Sequence, residues 1–119
     1  MSLNDTLAPD LTHDQPRPMD ATLEGYAWLP RIIDKARAAR AGTLGSYVHP
    51  CPVDRRCLKL LGLDAQTFGD VVERSGSDAE VLEGLRALGI PSAQEAWFDA
   101  PAFEAELMAR MRREGREAA

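Results

Sequence analysis

Arg31, Asp34, Lys35, Tyr47, Asp54 and Arg55 are the side chains whose types and spacing best suit a shared chemical task. Arg31 and Lys35 stand four residues apart, so on a helix they are neighbours, with Asp34 one turn from Arg31. A planar guanidinium fork beside an ammonium point charge is a receptor for a carboxylate or a phosphate. If Asp54 or Asp10 folds onto the same patch, two basic and two acidic groups form one network. That network has a second use, as an ion-pair clamp tying an N-terminal arm and the 42–53 loop to the helix. Surface charge clusters commonly end in such structural roles. In an enzyme, Asp34 or Asp54 would be the base and Arg31 the anion holder.

The loop after this helix offers further groups. His49, Cys51 and Cys57, with His13, invite a metal. Structural zinc favours short Cys-x-x-Cys or His-x-x-x-His pairs, and this chain has neither, so no metal is expected. Cys51 lies between Pro50 and Pro52 near a helix start, where the dipole lowers a thiol pKa. His49 is two residues away, yet no familiar cysteine-hydrolase signature surrounds them. Tyr26, Trp28 and Tyr47 bracket the first helix. They suit a cleft beside Arg31, or an aromatic lock holding a loop to the helix. Gly42-Thr43-Leu44-Gly45 lacks the strand and lysine of a phosphate loop, and no cofactor is expected.

Helices must position these groups. Leu29, Ile32, Ile33 and Ala36 fall on one helical face, with Pro30 in the first turn and Gly42 as a left-handed stop. Pro52 opens a second helix lined by Val53, Cys57, Leu60 and Leu61 and ended by Gly62. Asp64 caps a third, with Leu63 and Phe68 as a staple, and it stops at Ser75-Gly76. Ser77 with Glu80 forms a capping box before Val81, Leu82, Leu85 and Leu88, and Gly89-Pro91 ends that run. Ser92 with Glu95 is a second capping box. A last stretch, split at Pro101, carries Phe103, Leu107, Met108 and Met111 inward. No period-two run or Asn-Gly turn predicts a strand.

Residues 1–24 hold Pro9, Pro16 and Pro18 and no repeating apolar face, so they read as an irregular arm. Leu3, Leu7, Leu11, Met19 and Leu23 are its anchors. The expectation is an all-α fold, a compact orthogonal bundle of five or six short helices over residues 25–119 with an extended N-terminal arm.

The chain has 119 residues, 45% of them hydrophobic and 28% charged, which suits one globular domain with one core. A formal charge of −5 argues against nucleic acid and anionic membranes as partners. The Arg-rich end is interleaved with Glu104, Glu106, Glu114 and Glu117 and reads as a solvated helix face. No apolar run approaches the ~20 residues of a spanning helix, and the start has no secretion-signal layout. A cytoplasmic protein with free cysteines, monomeric or weakly dimeric, is the expectation.

Several motifs together resemble a known family. They are Gly25-Tyr26, Trp28-Leu29-Pro30-Arg31, Asp34-Lys35-Ala36-Arg37, Ala41-Gly42-Thr43-Leu44-Gly45, Tyr47, Pro52-Val53-Asp54 and Leu61-Gly62. The pattern, with Asp10-Leu11-Thr12 and Pro16-Arg17 before it, is similar to small bacterial proteins grouped as a domain of unknown function. The likeness covers roughly residues 10–90, and many members have Gly-Asn-Ser where this chain has His49-Pro50-Cys51. The resemblance implies an all-helical soluble protein and supplies no activity or catalytic residue. The functional expectation is therefore a non-catalytic binding or interaction module for an unknown protein or small anionic ligand. Its cleft would lie between helix one and the 43–56 loop, where charges from the openings of the first two helices converge.

Overall fold

The local signals for helices are realised almost residue by residue. A computed structural model describes residues 9–96. Among them, α1 spans Leu29–Ala41, α2 Pro52–Leu61, α3 Ala65–Arg74, α4 Asp78–Ala87 and the short α5 Ala93–Ala96. The described part is mostly helical. Gly42 and Gly62 end α1 and α2 at φ 78° and 75°, left-handed values that a side chain would strain. Asp64 accepts from the Thr67 amide at 2.7 Å. Ser92 and Glu95 exchange hydrogen bonds of 3.1 and 3.0 Å, a complete capping box. At Ser77 the box is altered: its hydroxyl accepts from the Glu80 amide, but the Glu80 carboxylate takes the Gly76 amide.

Two features correct the sequence reading. Thr22–Leu23 (β1) and Tyr26–Ala27 (β2) pair antiparallel, so a small ribbon interrupts the expected all-α pattern. Its turn is Glu24-Gly25, both at positive φ, 52° and 90°. A two-residue hairpin loop of the I′ kind needs positive φ at both positions, and here Glu takes the place usually held by Asn or Asp. Leu88 also departs from its predicted inward face. It falls after the last turn of α4, and its side chain is exposed.

The core is one cluster. Leu29, Ile32, Ile33 and Ala36 of α1 meet Phe68, Val71 and Val72 of α3, the most extensive helix pairing. Val53, Cys57, Leu58 and Leu61 of α2 and Val81, Leu82 and Leu85 of α4 complete it. Each fully buried Leu, Ile or Phe contributes about 1.5–3 kcal/mol relative to exposure. Leu11 is buried, and Met19 and Leu23 pack against the cluster. The Leu11 amide donates to the Thr43 carbonyl at 2.8 Å, fastening the arm beside the end of α1. Leu3, Leu7 and the final stretch with Phe103, Leu107, Met108 and Met111 lie outside the described residues. α1 is thus packed on several sides, and this decides which of its charges meet which partners.

Candidate functional site

Lys35 and Asp34 are sequence neighbours on α1, yet they join different networks. Lys35 faces the start of α2. Its Nζ is 3.0 Å from Asp54 Oδ2, and the two side chains are 1% and 2% exposed. The same Oδ2 accepts from the Cys51 amide at 3.1 Å and lies 2.9 Å from His49 Nδ1. A carboxylate only accepts, so the His49 tautomer here carries its proton on Nδ1. Burial pushes the Asp54 carboxyl up. The His49 hydrogen bond, the Lys35 charge and the Cys51 amide outweigh this and hold it below the usual carboxylate range.

The local reason is a capping box built on cysteine. Cys51 is the N-cap of α2: its sulfur accepts from the Asp54 amide at 3.4 Å while Asp54 returns the bond to the Cys51 amide. Lys35 Nζ also lies 3.6 Å from that sulfur. The first turn of α2, the 49–51 loop and the middle of α1 are therefore joined through one ammonium. Cys57, on the apolar stripe of α2, is buried in the core. Burial, with the Asp54 charge behind it, drives its thiol pKa far up, so it acts as a small hydrophobe.

Asp34 faces the arm. Arg17 meets it through its backbone amide at 2.8 Å, Nε at 3.0 Å and Nη2 at 3.0 Å. The same guanidinium reaches Asp78 in the first turn of α4, Nη1 at 2.6 Å and Nη2 at 3.2 Å. The Arg17 hydrogen bond is the main reason the Asp78 carboxyl sits below its ordinary value, against partial burial. Arg37 Nη1 stands 3.7 Å from Asp78 Oδ1.

Of the six residues singled out in the sequence, Lys35 and Asp54 are brought together. Arg31 lies over the Tyr47 ring, 5.9 Å from its centre, and its Nη1 donates to the Arg17 carbonyl at 3.4 Å. Asp34 belongs to the arm network, and Arg55 is exposed on the rim of α2. Tyr26 and Trp28 are buried in the core rather than lining a cleft, and the Tyr26 hydroxyl donates to the Pro91 carbonyl. Asp10 caps its own Thr12 and stays exposed; His13 pairs weakly with it.

Sequence reasoning missed Arg17 and Asp78 as members of these networks, and it placed His49 beside Cys51 without pairing it to Lys35 through Asp54. Arg17 and Asp78 are separated by 61 residues, beyond any local pattern. The flanking Pro16 and Pro18 were the one available signal, since they keep Arg17 in an extended path with its amide unpaired by any helix.

Each of the two candidate bases is engaged by a cationic partner, Asp34 by Arg17 and Asp54 by Lys35, and Asp54 is closed off from solvent. Among the described residues, no three His, Cys, Asp or Glu side chains are arranged to hold a metal ion. At Asp54 the Lys35 ammonium takes the position a cation would need. None of the six residues lines the groove of about 370 Å³ between Leu23, Glu24 and α4 residues Ala79, Leu82, Glu83 and Arg86.

The matched motif and this geometry bear on kinship. A family model described as a domain of unknown function, DUF5069, matches residues 13–117. The chain belongs to that family. The match runs well past Pro91, further than the motif alone suggested. No curated protein matches the chain. The two charge networks and the core described above all fall inside the matched span, apart from Leu11. No described helix is long and apolar enough to cross a membrane.

Proposed function

We propose that this DUF5069 domain is a non-catalytic interaction module whose contact face lies over the first half of α1 and the following loop. One observation carries the reading: both carboxylates that could act as a base, Asp34 and Asp54, are bound by the protein's own cations. What remains facing outward there is Arg31 against Tyr47, exposed Arg55, and Val48, an apolar side chain 60% exposed. Arginine, tyrosine and an apolar neighbour are the side chains that anchor protein contacts. The buried Lys35–Asp54–His49 network beneath holds the loop rigid, which lowers the ordering cost of binding. In this reading the helices form an orthogonal bundle and the arm is a strap outside it. A partner with an acidic and apolar face fits the exposed set.

The test is a photo-crosslinking amino acid placed at position 48, compared with position 83 on α4, in the source cell. A discrete adduct at 48 that is absent at 83, and is lost with Arg31→Glu, is expected. No adduct specific to 48 would remove the proposed face. Turnover of any substrate that Asp54→Asn abolishes in a still-folded protein would favour the enzyme alternative instead.

A further inference from the structure

The other side of α1 holds a guanidinium with an unfilled fork. Arg37 is buried, its side chain 8% exposed, and among the described residues its carboxylate contact is Nη1 at 3.7 Å from Asp78 Oδ1. Among the described residues, its Nε and Nη2 are buried and have no hydrogen-bond partner. Those two N–H groups point the same way from a planar guanidinium, the side-on pair that matches two oxygens of one oxyanion. Leaving charged donors buried and unmatched is costly, and in native proteins such groups ask for an explanation.

The neighbours do not supply the missing acceptor. Asp34 is held by three donors of Arg17, and Asp78 by two more. Arg31 joins the same cluster through the Arg17 carbonyl. Arg17 and Arg37 are the guanidiniums beside the two carboxylates, and Arg17 has taken both, so Arg37 keeps its charge with only a distant partner. Asp78 also opens α4, whose N-terminal dipole adds to the positive potential. Lys35, two positions from Arg37 and so turned to the opposite face, is neutralised separately by Asp54.

We propose that the Arg37 fork is a receptor for a single carboxylate, from a small carboxylic acid or from a peptide chain. A carboxylate presents two coplanar oxygens to that fork and brings one charge into a closed site, where a phosphate dianion would bring two. Both fork nitrogens are closed off from solvent, so seating the ligand needs a local opening. The solvent side of the network is Arg17, 37% exposed, and Asp78, 29% exposed. The site goes beyond the face around Arg31, Tyr47 and Val48, and its test reads Arg37 alone, so either proposal can fail without the other.

The experiment is an acetate titration of protein carrying nitrogen-15 arginine, with ionic strength held constant by chloride. The Arg37 Nε–H signal is assigned by its loss in Arg37→Lys. A saturable shift of that signal is expected, with a matching acetate-dependent rise in melting temperature. Arg37→Lys keeps the charge and removes the fork, and it should weaken the acetate response by about tenfold or more. A wild-type Arg37 signal that does not move, or moves without saturating, overturns the proposal. Equal acetate stabilisation of Arg37→Lys does so too, and saturation by inorganic phosphate without acetate would overturn the choice of a carboxylate. A glycine-capped tetrapeptide carrying only its terminal carboxylate, titrated in parallel, distinguishes a peptide source from a small acid by tighter saturation.

Discussion

The two sides of α1 solve the same problem in different dielectric surroundings. On one side, Lys35 and Asp54 pair almost out of reach of water. On the other, Arg17 bridges Asp34 and Asp78 with over a third of its side chain exposed. Both tie a non-helical segment to the helix, the 49–51 loop in one case and the arm in the other. The difference teaches that similar distances carry different energies. In the interior each charge depends on its partner, because water cannot take the partner's place. At the surface water substitutes for a lost partner, and the net value of the pair falls.

The largest expected effect is therefore at Lys35. Lys35→Met leaves Asp54 buried without its ammonium and should destabilise the fold by about 3–5 kcal/mol. Urea unfolding measures it. Adding Asp54→Leu to Lys35→Met should recover part of the loss, because the stranded charge goes with it. A double variant no more stable than the single one would break the contrast.

Arg17→Ala comes next. It removes a bidentate bridge but frees Asp34 and Asp78 to water, and about 1 kcal/mol is expected after allowing for solvent screening. Its effect should shrink in high salt, whereas that of Lys35→Met should not. Equal salt sensitivity of the two would show that burial is not what separates them.

Acid sharpens the same comparison. Asp54 and Asp78 both have carboxyl pKa values lowered in the folded state. The unfolded chain then binds protons first as pH falls. The stability they contribute is present above about pH 3.9, the unfolded value, and is lost as pH drops through the lower folded values. Urea midpoints measured down this window should fall less steeply in Asp78→Asn than in wild type. On the alkaline side the sign reverses. Cys57 keeps its proton in the fold, so stability should decline as pH rises above about 8.5, and Cys57→Ala should flatten that slope.

The smallest effect belongs to Arg40, which pairs with Asp70 at 3.1 Å and Glu73 at 2.5 Å on an exposed face between α1 and α3. Arg40→Gln should cost about 0.5 kcal/mol, read as a shift of urea midpoint that vanishes in high salt. A loss as large as that of Lys35→Met would refute the ranking by burial.

How much of this was legible beforehand follows from distance along the chain. Asp64, Ser77 and Ser92 act on amides within three residues, so their capping roles are written in adjacent letters. Gly42 and Gly62 needed only their own φ. The cap at Cys51 was not read, because cysteine rarely caps and its role rests on Asp54 answering it. The Glu24-Gly25 turn was missed for a similar reason, since Glu seldom takes positive φ and the ribbon's packing holds it there.

The order of letters determined the helices, their ends and the apolar faces that build the core, since periodicity and capping act over one or two turns. Tertiary structure alone decided that Lys35 answers Asp54, that Asp34 answers Arg17, and that Arg37 is left with two unmatched donors. Ion pairing depends on through-space distance and on how much water is excluded, and both exist only once separate segments have packed.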